Sequence, residues 1–302
     1  MGIAVNTFNN GEVIINEGDV GKSIFRLVEG NADVIADYGK KEPFRLGILR
    51  AGDYFGEMAI FEECPRSATV VAASTTVRVL EIPEDELNGF LKENPDVIGE
   101  LIDHLGNKVY AMTNDYNEAQ ALLKSLRDAD AGKKKSLFSK IKKHIDHYQS
   151  GKNDVSEPDV SVLSEVFASI PHDGAVNFKS YDKGEVIFYE GDTSDSMYIL
   201  HSGNVGIYTG FGKADEQVFS ELPGGSAFGV KGLIAGEPMR ATAVAESDET
   251  VVEKIYKDEL EYIFKTCPAK VTFILRYLSC RLRRLNIDFY NICKEITNNY
   301  QN

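Results

Sequence analysis

The chain is short of cysteine, histidine and positive charge, and it has no long apolar run. Each shortage removes a class of protein. Its four cysteines, Cys64, Cys267, Cys280 and Cys293, contain no Cys-x-x-Cys pair and form no dense framework, so they read as reduced thiols, with Cys64 a small buried apolar residue. None of the five histidines belongs to a His-x-His strand pair, which argues against a metal enzyme. Nowhere do about 18 apolar residues follow one another, and the N-terminus Met-Gly-Ile-Ala-Val-Asn has neither a basic start nor an apolar run. No membrane span is expected, and a cytoplasmic location is. With Lys and Arg at 33 against 47 Asp and Glu, the net charge of −14 would repel a phosphate backbone, and no helix-turn-helix, zinc-finger or aromatic-basic pattern offsets it. Nucleic acid is thereby excluded as a partner. A Walker lysine motif and an activated Ser or Cys are missing too, so the chain is expected not to be an enzyme.

What is present is a repeat. Gly11-Glu12-Val13-Ile14-Ile15-Asn16-Glu17-Gly18-Asp19 returns as Gly184-Glu185-Val186-Ile187-Phe188-Tyr189-Glu190-Gly191-Asp192, an offset of 173. The offset then holds without a gap: Gly30-Asn31 maps to Gly203-Asn204, Phe55-Gly56 to Phe228-Gly229, Asp85-Glu86-Leu87 to Asp258-Glu259-Leu260, and Pro95 to Pro268. A domain of about 120 residues has been duplicated in tandem, a size usual for one core. Each copy carries short β-branched and aromatic runs separated by Gly, Asp and Asn; in the first these are Val13–Asn16, Ile24–Val28, Ala32–Ala36, Arg45–Leu49, Thr69–Ala73 and Val77–Ile82. That spacing predicts an antiparallel barrel or sandwich, closed as a jelly roll. The expected fold class is mainly β with flanking α, as two tandem jelly-roll barrels each followed by a long helix. The expected domains are 1–128, a charged helical linker at 129–159, and 160–302, the last opening on a short helix from Val160 to Ile170.

Phe55 to Val70 carries the chemistry. Gly56 can take backbone angles closed to other residues, so the amides from Gly56 through Met58 and Ala59 can turn inward together as an anion-binding nest or the start of a short helix. Arg66, in Pro65-Arg66-Ser67-Ala68, adds a planar fork able to grip two phosphate oxygens, whereas the carboxylate of Glu57 suits a sugar hydroxyl and repels phosphate. A ligand with both groups is implied.

This stretch resembles the phosphate-binding cassette of cyclic-nucleotide-binding domains, such as those of cAMP-dependent kinase regulatory subunits, catabolite activator proteins and cyclic-nucleotide-gated channels. The resemblance implies the same jelly-roll fold, with Glu57 on the ribose 2′-hydroxyl, Arg66 on the cyclic phosphate, and the amides of Met58, Ala59 and Ser67 completing the cage. Phe55, Gly56 and Ala68 belong to the same motif. It implies cAMP as ligand, or cGMP, since a hydroxyl at Ser67 holds guanine in some relatives; no cofactor or metal is called for.

The second copy departs at both gripping positions. At the same offset Gly56 becomes Gly229, Glu57 becomes Val230, Met58 becomes Lys231, Arg66 becomes Met239, Ser67 becomes Arg240 and Ala68 becomes Ala241. A one-residue insertion ahead of Arg240 would restore an arginine, but Pro238, Ala241 and Thr242 match without it. Along an extended segment a one-residue step turns a side chain the other way. The second site is expected to bind cyclic nucleotide weakly or not at all, leaving Lys231 and Arg240 for some other anion.

After each copy runs an apolar seam with spacings of three and four: Ile102, Leu105, Val109, Met112, Tyr116, Ala119, Leu123 and Leu126, then Val271, Leu275, Leu278, Leu282, Leu285, Phe289, Ile292 and Ile296. A seam this long predicts helix pairing, within one chain or across a homodimer. The basic block Lys133 to Lys143 is expected on a solvated linker helix, with an acidic partner or a membrane surface as the alternative. The sequence therefore reads as a sensor that acts on a downstream protein, the rival being a ligand-independent scaffold.

Overall fold

The β-branched runs of each copy pair in one recurring order. In a computed structural model, which describes residues 2–41, 43–61, 65–128, 160–170, 177–233 and 238–300, the first copy forms eight strands: β1 (Ala4–Asn9), β2 (Val13–Ile15), β3 (Ser23–Glu29), β4 (Asn31–Ala36), β5 (Phe44–Arg50), β6 (Tyr54–Phe55), β7 (Thr69–Ala72) and β8 (Thr76–Pro83). They lie in two antiparallel sheets, β1-β8-β3-β6 and β2-β7-β4-β5. The second copy repeats this with β9 (Phe178–Tyr181), β10 (Val186–Phe188), β11 (Ser196–Ser202), β12 (Asn204–Thr209), β13 (Gln217–Pro223), β14 (Ser226–Phe228), β15 (Thr242–Ala245) and β16 (Thr250–Tyr256), in the orders β14-β11-β16-β9 and β10-β15-β12-β13. This is the jelly-roll order expected, as two four-stranded sheets per copy.

Period-two patterning places the core between those sheets. Along β8, Val77 and Val79 are buried while Thr76 and Arg78 are exposed. The first core joins Phe25, Leu27 and Phe55 from one sheet to Ala32, Val70 and Ala72 from the other. Two strands per copy escape the sequence reading. β1 and its counterpart β9 are edge strands with polar residues and little burial, and β6 is only two residues long.

Six helices complete the described chain: α1 (Glu57–Phe61), α2 (Glu84–Glu93), α3 (Asp96–Asp128), α4 (Val160–Ala168), α5 (Leu260–Thr266) and α6 (Pro268–Tyr300). α6 begins on Pro268, where a missing N–H breaks no helical bond. The chain divides into two compact units that interleave along the sequence: 1–90, 111–158 and 279–302 in one, 91–110 and 159–278 in the other.

Within the first unit the C-terminal part of α3 pairs with that of α6. Arg127 donates to Glu295 at 2.6 Å, and eleven residues earlier Tyr116 feels the charges of Asp288 and Arg284. Both helices advance together, so they run parallel. Met112, Ala119, Leu123 and Leu126 on α3, with Leu282, Phe289 and Ile296 on α6, are buried within the one chain. Those seam positions are thus covered within the chain, while Tyr116, Leu285 and Ile292 are only half-buried. In the second unit Glu253 on β16 is buried between His201 of β11, at 2.9 Å, and Lys270 of α6, at 2.5 Å. Burial alone would raise the carboxyl's pKa, but the hydrogen bonds and charges of His201 and Lys270 together outweigh it and hold it below its ordinary value.

Among the described residues no helix is long and apolar enough to cross a membrane, and no cluster of His, Cys, Asp or Glu has the makings of a metal site. Cys64, the block Lys133 to Lys143 and the rest of 129–159 lie outside the described residues.

Candidate ligand-binding site

Three backbone features build the first site. β6 ends at Phe55, Gly56 turns out of the strand at φ +74°, and α1 starts at once with Glu57, which is 2% exposed. Arg66 enters from the segment ahead of β7. Its backbone is clamped to the β2–β3 connection: its N–H donates to the Asp19 carbonyl, and its own carbonyl accepts from the N–H of Gly18, both at 2.9 Å.

The guanidinium is then fixed from three sides. Its Nη1 donates to the Gly56 carbonyl, its Nη2 to the Ser23 carbonyl at 2.7 Å, and its Cζ lies 5.3 Å over the ring of Phe25. Phe25 stacks in turn on Phe55, with centroids 5.2 Å apart. Arg66 is 6% exposed. A permanent cation is therefore held in one orientation beside a glycine turn that heads a helix. That is the arrangement an anion with several oxygens requires.

Of the predicted residues, Phe55, Gly56 and Arg66 are brought together by these contacts. Glu57 and Ala59 are buried at the head of α1, Met58 is half-buried, Ser67 is exposed and Ala68 buried. Sequence reasoning missed Gly21, Ser23 and Phe25. The repeat itself carried a signal for Gly21, which becomes Ser194 in the copy where Arg66 becomes Met239.

The backbone settles which residue of the second copy answers to Arg66. The N–H of Met239 donates to the Asp192 carbonyl and its carbonyl accepts from Gly191 N–H, both at 2.8 Å, the same two bonds 173 residues on. The insertion that would have placed Arg240 there is excluded.

A family model described as the cyclic nucleotide-binding domain matches residues 5–94 and 178–267, two windows that together exceed half the chain and are displaced by the same 173 residues. The chain belongs to the cyclic nucleotide-binding domain family. It is similar to a cAMP-dependent protein kinase regulatory subunit of Hypocrea atroviridis, 24% identical over 79% of this chain and 41% of that protein. A cGMP-dependent protein kinase of Toxoplasma gondii is 24% identical over 85% of this chain and 20% of that one. The chain thus spans less than half the length of the curated relatives it matches. Among solved structures, the regulatory domain of Toxoplasma gondii PKA with cAMP is 19% identical, with 89% of this chain and 82% of that chain covered and a TM-score of 0.28. At that score the likeness adds nothing to the assignment.

The second cyclic nucleotide-binding domain keeps the frame and changes the side chains set on it. Gly229 turns at φ +67°, as Gly56 does, but it leads into a 3-10 turn, Val230–Leu233, in which Val230 replaces the carboxylate. Met239 is buried in the apolar core with Phe188, Tyr198 and Phe228, whose three rings stack on one another. Arg240, one residue on, is exposed and points away from that core, and Ala241 is half-buried. The position that holds a cation in the first cyclic nucleotide-binding domain holds a thioether in the second.

Proposed function

We propose that the chain is a non-catalytic cyclic-nucleotide sensor that binds one nucleotide, in its first domain, and passes the event to a downstream protein. The observation that carries this reading is the contrast at one backbone position: Arg66 clamped against Phe25, Gly56 and Ser23 in one copy, Met239 buried in an apolar core in the other. Arg66 takes the cyclic phosphate with the amides of Met58, Ala59 and Ser67, and Glu57 takes the ribose hydroxyl. cAMP is the favoured ligand and cGMP the alternative, and relatives named for each nucleotide match this chain. α3 relays occupancy, with Thr113, Asn114 or Tyr116 meeting the base. The site of action is the cytoplasm.

Calorimetry on the full chain with cAMP and with cGMP tests the reading. One nucleotide per chain is expected. Arg66→Ala should weaken binding by about thirty-fold to several thousand-fold, the loss when a charged partner is removed from a desolvated site at about 2–5 kcal/mol. Arg240→Ala should keep the stoichiometry at one. No binding of either nucleotide at millimolar concentration would sink the sensor in favour of the scaffold.

A further inference from the structure

The second cassette already has an occupant. Gly106 and Tyr110, four residues apart and so on one face of α3, lie in the second unit together with Val230, Phe219 and Arg240. Gly106 abuts Val230 so closely that a Cβ there would come within 2.5 Å of the valine Cγ1. The ring of Tyr110 stacks on Phe219 of β13, with centroids 5.8 Å apart and planes 28° apart. The guanidinium carbon of Arg240 lies 4.7 Å over the Tyr110 ring.

Two of the residues that touch α3 are ones that changed. Val230 stands where the first copy has Glu57, and Arg240 where it has Ser67. A carboxylate at 230 would press a charge against Gly106, which has no side chain to receive it, whereas valine fills that gap. Serine at 240 would give Tyr110 no cation, whereas arginine covers the ring. The substitutions that removed one ligand thus suit another, and that other is the helix following the first domain.

We propose that the second cassette is a clasp for α3, and that loosening this clasp is how occupancy of the first site reaches the second domain; the latter half rests on the sensor reading above. α3 is one uninterrupted helix from Asp96 to Asp128, and its residues 111–128 are packed in the first unit. One helix thus contributes residues to both units.

Hydrogen exchange on the full chain decides this. Without nucleotide, Tyr110→Ala and Arg240→Ala should each raise exchange across 226–233 at least ten-fold while β11 and β16 keep wild-type protection, and Tyr110→Phe, which keeps the ring, should behave as wild type. Arg240 is exposed, so its variant is expected to fold even if Tyr110→Ala does not. Unchanged exchange at 226–233 in Arg240→Ala would overturn the clasp. With cAMP added to wild type, exchange at 226–233 should rise. If calorimetry shows cAMP bound and those residues do not respond, the release is overturned while the sensor stands. If neither cAMP nor cGMP binds, the sensor reading fails and the release with it, and the nucleotide-free comparison alone decides the clasp.

Discussion

A Cβ added to Gly21 would sit 2.2 Å from Nε of Arg66, closer than any real contact allows. The guanidinium reaches its carbonyl partners only because residue 21 has no side chain. Gly21→Ala is therefore expected to push Arg66 off the Gly56 and Ser23 carbonyls while leaving the sheets intact. The expected outcome is at least ten-fold weaker nucleotide binding by calorimetry, with a melting temperature within a few degrees of wild type. Full affinity in this variant would show that the observed pose of Arg66 is not the binding pose.

The buried Glu253 ties β11, β16 and α6 together, and it makes stability depend on acid. Its folded pKa lies below the ordinary 4.5, so its contribution is fully present above that value and is lost as pH falls through the lower, folded value. Urea melts of wild type should lose stability below about pH 4.5 as this group protonates. Glu253→Gln should be weaker at pH 7 by about 3–5 kcal/mol, since Lys270 is left buried without its charge partner. The same variant should show a flatter acid limb.

The α3 and α6 pair offers a contrast between two adjacent residues. Leu126 is fully buried, whereas Arg127 pairs with Glu295 at the surface. Leu126→Ala should cost about 2–5 kcal/mol in chemical denaturation. Arg127→Ala should cost only about 0.2–1 kcal/mol, and less in high salt. Equal effects would mean that the surface pair, and not the seam, holds the helices.

Burial lifts the thiol of Cys293 to about 12, with the nearby charge of Asp115 adding to it. A thiolate is the reactive species, so Cys293 should resist alkylation at neutral pH until the protein unfolds. In a Cys64→Ser background, a thiol reagent is expected to label half-buried Cys267 first and to reach Cys280 and Cys293 only in denaturant.

Much of this could be read from the chain because duplication supplies its own alignment. The gapless offset predicted that Met239 would replace Arg66, and the paired bonds of Gly18 and Gly191 show why no gap is tolerated. The seam positions were legible because helical burial repeats every three or four residues. β6 was not, since two residues show no period, and β1 was not, since an edge strand has little hydrophobic pattern to keep. Ser23 acts through its carbonyl, and a backbone group leaves no trace in residue type. The contact of Gly106 and Tyr110 with Val230 and Arg240 was invisible for a different reason. More than a hundred residues separate the partners, and neither Gly106 nor Tyr110 breaks the local helical pattern.

The interleaving of the two units bears on what cutting the chain would do. Each unit is assembled from stretches on both sides of residues 129–159, with Leu126 and Ile296, for instance, in the same unit. A protease site engineered into that segment would sever the backbone without separating the pieces. The products should co-elute as a split protein, and the two halves, expressed apart, should complement each other only when mixed. Covalent continuity then serves mainly to keep them at a high effective concentration.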